Sequence, residues 1–194
     1  MTETGGLTPA ARKILDAAAE LFYARGITAV GVDLIAREAG VTKKTLYDRF
    51  GSKEALVEAY LRERDERWRR WLTEQVESGD AGTAHERVLR TFDALGLWMR
   101  RENPRGCGFV NAAAELPDPE HPGRKVISEQ KRWLRGCLRD LAAQAGARDA
   151  DQLADELVLL HEGATVLNGL RVIADPVAAA RSLARGAMER AGCR

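Results

Sequence analysis

Cysteine is scarce in this 194-residue chain, and Cys107, Cys137 and Cys193 are too scattered for a disulfide framework or a zinc ribbon. Reduced thiols are therefore expected. Histidine is no more abundant: His85, His121 and His161 have no metal-ligand spacing, so no metal or other cofactor is expected. The chain has no phosphate-cradling glycine loop, nucleophile elbow or dinucleotide fingerprint, and nothing recommends an enzyme. No run approaches the ~18 apolar residues of a membrane span. The polar opening MTETGGLTPAARK lacks the apolar core of a signal peptide. A cytoplasmic protein with no membrane partner is expected. Excess charge is missing as well, since 30 Lys+Arg against 29 Asp+Glu leave a net +1. Met1 to Ala55 carries eight cations against seven anions. Any affinity for nucleic acid must then come from where the cations sit, which argues against a nonspecific coating protein. Strand-like alternation, internal repeats and low-complexity tracts are absent too.

Helical periodicity is what remains. An apolar content of 45% and a charged content of 30% describe an ordinary globular chain, long enough for one or two small domains. Thr8-Pro9 reads as an N-cap and first helical residue, opening a helix that Gly26 ends. Its inward face is Ile14, Leu15, Ala18, Leu21 and Phe22.

Asp33 to Lys53, DLIAREAGVTKKTLYDRFGSK, reads as two short helices, a tight turn and the start of a third helix. Gly40 can take the positive φ that ends a helix cheaply. Val41 plugs the corner, Thr42 is the N-cap of the next helix, and Leu46 and Phe50 share its inward face. Small Ala36 lets the two helices cross closely. This is the geometry of a helix-turn-helix, whose second helix is offered to a DNA major groove. The outward side chains Lys44, Thr45, Tyr47 and Asp48, flanked by Lys43 and Arg49, suit phosphate and base-edge contacts. Gly51 breaks the helix, Ser52 caps the next, and Lys53 lies beside a helix N-terminus that favours a phosphate.

The run from Ile14 to Leu61, with AAAELFYARGITAV and LIAREAGVTKKTLYDRFGSKEALVEAYL, resembles the DNA-binding domain of TetR-family transcriptional regulators. The resemblance implies an all-α fold, with a three-helix helix-turn-helix domain over 8–52 and a helical ligand-binding and dimerisation domain over 53–194. It puts Thr42, Lys43, Lys44, Thr45, Tyr47, Arg49 and Lys53 at positions that contact double-stranded operator DNA, Tyr47 and Lys53 on phosphates. One departure is Gly31, where the family usually has a capping Ser or Thr. Asp33, near the same terminus, is expected to favour the helix dipole.

Beyond Ser52 the periodicity gives a helix to about Glu77, then a loop over Glu77 to Gly82. Helices follow over Thr83 to Arg101, Arg105 to Leu116 and Arg124 to Ala145, with Asn103-Pro104 and the prolines 117, 119 and 122 as breaks. The next runs from Asp149 or Asp151 to Ala174, and the last starts after Asp175. By resemblance these last two pair in a homodimer, through Leu159, Val166, Leu170, Ile173, Ala180, Leu183, Ala184, Ala187 and Met188. The resemblance also implies an unknown small-molecule effector that releases DNA, so a repressor is expected. Candidate ligand residues are Trp71, Phe92, Trp98, Phe109, Asn111, Glu115, Trp133, Cys137, His161, Glu162 and Thr165. Two alternatives stay open: a thiol-switched regulator, with Cys107 exposed between two glycines or Cys137 as the sensor, and an interaction module that no longer binds DNA.

Overall fold

A computed structural model of the chain describes residues 7–78, 82–102 and 105–193. Residues 1–6 of the N-terminal leader, half of the loop expected at Glu77 to Gly82 and the Asn103-Pro104 break lie outside the described residues. Among those described there are nine α-helices and no strand: α1 (Pro9–Arg25), α2 (Val32–Glu38), α3 (Lys43–Phe50), α4 (Lys53–Glu77), α5 (Ala84–Glu102), α6 (Gly108–Glu115), α7 (Pro122–Gln144), α8 (Ala150–Leu170) and α9 (Pro176–Ala191). The all-α architecture expected from the sequence is what the chain adopts. Among the described residues no helix is long and apolar enough to cross a membrane.

Local chemistry sets these ends. The hydroxyls of Thr8, Thr42 and Ser52 and the carboxylates of Asp149 and Asp175 each accept a backbone N–H three residues on. Glycines 40, 146 and 192, all at positive φ, close α2, α7 and α9 in the same way. Each donates its N–H three residues back, and the next residue bonds five back.

The chain folds into two compact units. The first takes residues up to Asp65 together with Phe109–Ile127, so it extends past residue 52 and recruits a later segment. In it α1, α2 and α3 pack on one another. Ile14, Ala18, Phe22, Val30, Ile35 and Leu46 are buried, as are Leu56 and Leu61 of α4. Packing is close at Gly123, where a methyl would lie about 3 Å from Leu61 and Leu116 side-chain carbons, which would have to give by a few tenths of an ångström.

The second unit comprises Glu66–Gly108 and Ser128–Arg194. Its core is Trp68 and Leu72 from α4, Phe92, Leu95 and Trp98 from α5, and Leu134 and Leu138 from α7, closed by Leu153 and Leu157 of α8 and by Ala184 and Met188 of α9.

Three helix ends differ from the periodicity. Helix α6 starts at Gly108 rather than Arg105 because Gly106 holds φ +79°. Pro122, expected in a loop, is the first residue of α7, where its missing N–H leaves no intrahelical hydrogen bond unmade and its fixed φ suits the helix. Helix α8 stops at Leu170, not Ala174, because Arg171 turns left-handed at φ 56°, so Ile173 falls outside the helix.

Replacing Gly40 by alanine tests the turn in isolation. Its φ is +65°, and no atom lies within 4 Å of a new Cβ, so only backbone strain opposes the change. Urea unfolding is expected to show a loss of about 1–2 kcal/mol; an unchanged midpoint would contradict the turn described here.

Candidate nucleic-acid interface

The turn between α2 and α3 is built from backbone hydrogen bonds. Gly40 N–H donates to Arg37 O at 3.1 Å and Val41 N–H to Ala36 O at 2.9 Å, which satisfies the last carbonyls of α2 and reverses the chain. Thr42 then starts α3. Its Oγ1 accepts from Thr45 N–H at 3.1 Å, and the two hydroxyls lie 2.9 Å apart, so both threonines are engaged in the cap. Leu46 is buried and Phe50 half-buried, as their shared face requires. That leaves Lys43, Lys44, Tyr47, Asp48 and Arg49 exposed. Gly31 caps α2 without a side-chain hydrogen bond.

The exposed cations are partly compensated within the unit. Lys44 Nζ lies 2.8 Å from Asp48 Oδ2, one helical turn on, and Lys43 Nζ 3.1 Å from Asp33. Such exposed pairs are worth roughly 0–1 kcal/mol, so a phosphate can displace either carboxylate at little cost. The side chains of Tyr47 and Arg49 make no hydrogen bond or ion pair with the described residues, and Tyr47 is 41% exposed. Lys53 is anchored differently, its Nζ donating to Ile27 O at 2.7 Å in the α1–α2 loop. That loop has a second tie that the sequence did not suggest: Thr28 N–H donates to Glu115 Oε2 at 2.7 Å. Glu115, a ligand candidate by sequence, therefore has a structural role in the first unit. Asp48, one helical turn from Lys44, had a visible signal. Asp33, expected only to favour the helix dipole, lies ten residues from Lys43, and Glu115 lies 87 from Thr28; neither pairing had one.

The other ligand candidates divide between the units. Phe109 is buried and Asn111 half-buried in the first. In the second, Phe92, Trp98, His161 and Thr165 are core residues. The rings of Trp68 and Trp98 stand edge to face at 5.4 Å, and His161 packs 5.4 Å from Phe92 and 6.0 Å from Trp68. Trp71 Nε1 donates to Ala94 O at 3.1 Å, and Thr165 Oγ1 to His161 O at 2.8 Å. Trp133 and Cys137 line a hollow of about 420 Å³ with Leu72, Val76, Arg87 and Leu141. Glu162 pairs with Lys131 at 2.7 Å. Of the residues expected at a dimer face, Ala180, Ala184, Ala187 and Met188 are buried in the protomer's own core. Leu159, Leu170 and Leu183 are 73, 66 and 61% exposed, with Val166 and Ile173 exposed as well. Cys107, expected to be exposed, is buried instead. No cluster of residues able to hold a metal ion occurs among the described residues.

A capped, outward-facing α3 behind a tight turn defines a helix-turn-helix DNA-binding protein. Two family models match this chain: the N-terminal one of the bacterial regulatory proteins of the tetR family over residues 14–60, and the Tetracyclin repressor-like C-terminal domain over 84–184. The chain belongs to the TetR family of transcriptional regulators. It is 30% identical over 166 residues to an uncharacterized HTH-type transcriptional regulator of Mycobacterium tuberculosis, covering 75% of this chain and 80% of that protein. It is 28% identical over 120 residues to the HTH-type transcriptional repressor NemR of Escherichia coli, covering 61% of this chain and 60% of that one. Among solved structures, a TetR-family transcriptional regulator from Streptomyces coelicolor matches with a TM-score of 0.86 and 31% identity, over 94% of this chain and 96% of its own. These relatives are transcriptional regulators, not enzymes.

His161 gives a pH test of the second unit. Burial pushes its imidazole down to about 4 from 6.5, with Glu162 pulling it up and Lys131 pushing it further down. Its Nε2 has no hydrogen-bond partner. The unfolded chain binds the proton first, so the stability His161 contributes is complete above pH 6.5 and is lost as pH falls from 6.5 to about 4. The loss is expected to reach about 3 kcal/mol. His161→Phe keeps a ring between Trp68 and Phe92 and should flatten that part of the pH dependence; an equal slope in both proteins would show that His161 is not its source.

Proposed function

We propose that the protein is a homodimeric repressor that reads a twofold-symmetric operator through α3 and is released from it by a small-molecule effector. The observation that carries this reading is the outer face of α3. Arg49 and Tyr47 are uncommitted there, and Lys43 and Lys44 are held only by weak exposed pairs. Thr42 and Thr45 fix the first turn, so that side chains beyond it meet base edges, and Lys44, Tyr47, Arg49 and Lys53 are phosphate contacts. Such an arrangement gives local positive charge without net charge, which favours a specific site over general binding to DNA.

A single short reading helix has little contact area, and a dimer doubles it. The exposed Leu159, Val166 and Leu170 of α8, Leu183 of α9 and Ile173 between them support a face that a second copy covers. The buried alanines of α9 would then set the height of that face from within. Two α3 helices related by a twofold axis read half-sites about 34–36 Å apart or a multiple of it. Repression is the role that NemR's name gives that relative, and it is proposed for this chain on that likeness. The effector releases DNA by binding the non-DNA-competent state more tightly, and it shifts the equilibrium by no more than that difference in affinity. DNA as partner makes the cytoplasm its place of work.

Fluorescence anisotropy with the chain's own upstream DNA, at two salt concentrations, tests the reading. Preference over scrambled DNA is expected. Lys44→Ala should weaken binding and lower the salt slope by about one. Leu183→Glu should give monomers in sedimentation and lose the preference. Equal affinity for scrambled DNA, or a Leu183→Glu variant that still binds as a dimer, would count against the proposal.

A further inference from the structure

The hollow of about 420 Å³ in the second unit opens between the C-terminal end of α4, the first turns of α5 and the C-terminal half of α7. Leu72, Val76 and Leu141, all buried, form its apolar wall together with half-buried Trp133. Cys137 lines it too. Burial pushes that thiol up, with Asp140 and Glu77 adding to the effect, so it stays protonated and uncharged.

Three ionised side chains border the same space: Arg87, Glu77 and Asp140. Asp140 is balanced, because Arg139 Nη2 lies 2.7 Å from its Oδ1. Arg87 is not balanced. Its Nη2 donates to the neutral amide oxygen of Gln144 at 2.5 Å, and no carboxylate among the described residues pairs with it. Its Nε is buried without a hydrogen-bond partner. A guanidinium cannot shed its proton, so only an acceptor can satisfy that N–H. Glu77 is the converse case, an exposed carboxylate that makes no ion pair or hydrogen bond with the described residues. One cation and one anion, too far apart to pair with each other, thus stand unmatched beside an aromatic and aliphatic wall.

We propose that this hollow binds an apolar α-amino acid as its zwitterion. The carboxylate accepts from Arg87 Nε, the ammonium faces Glu77, and the side chain lies against Trp133, Leu72, Val76 and Leu141. A lone carboxylate would meet Glu77 and Asp140 with like charge, and a lone amine would leave the Arg87 donor unmade; a zwitterion answers both. The volume is near the lower end of the range for small-molecule sites, which suits one amino acid rather than a peptide or a dinucleotide. The site deepens the effector reading by naming a chemical class, while binding in it does not depend on DNA.

Isothermal titration calorimetry of the full chain without DNA tests the site. The probes are L-phenylalanine, 3-phenylpropanoate, which lacks the amine, and phenethylamine, which lacks the carboxylate. L-Phenylalanine is expected to bind at one site per chain, about tenfold or more tightly than either single-charge probe. Glu77→Gln, at an exposed position, should abolish its advantage over 3-phenylpropanoate, and Arg87→Met its advantage over phenethylamine. Should Arg87→Met fail to fold, Glu77→Gln decides alone. No binding of L-phenylalanine, equal affinity for the three probes, or an unchanged preference in Glu77→Gln would overturn the proposal. A failed titration strikes this site and leaves the reading of α3 untouched, since no DNA is present.

Discussion

One residue at φ +65°, Gly40, decides where α3 points. An L side chain in that conformation costs about 1–2 kcal/mol, so glycine lets α2 end in a single residue. The two hydrogen bonds that close the turn leave Val41 to fill the corner and Thr42 to start the next helix at once. With no slack in the connection, burial of Leu46 on the inner side fixes Tyr47 and Arg49 on the outer side. DNA recognition then follows from helix rotation rather than from any special reactivity.

The charges on that face are balanced for the same purpose. Each lysine of α3 has an aspartate within reach, and the exposed pairs are weak enough to open for a phosphate. A surface neutralised in this way attracts DNA little from a distance. It gains most where phosphates and base edges stand in the right register, which is how a chain of net charge +1 can still be a specific DNA-binding protein.

Much of the fold was legible because its signals are local. The caps at Thr8, Thr42, Ser52, Asp149 and Asp175 and the stop at Gly146 each depend on residues within one turn. The differences arose where a non-glycine did a glycine's work or where partners were distant. Arg171 ends α8 in a left-handed conformation that sequence assigns to Gly or Asn. The α9 stripe of small residues read as a surface for another copy, but Ala180, Ala184 and Ala187 fill the protomer's core, and Leu183, one turn away, is the exposed member. Periodicity finds an apolar face without saying which partner covers it. The Lys131–Glu162 pair left no trace in spacing, and Cys107 read as exposed only because glycines flank it.

Hydroxyl-radical footprinting of DNA enriched from a random pool by the purified protein tests the central claim most directly. The account predicts two protected patches of related sequence, about one helical turn or a multiple of it apart and linked by a twofold axis. An enriched sequence with a single protected patch, or a pool from which nothing is enriched, would contradict it.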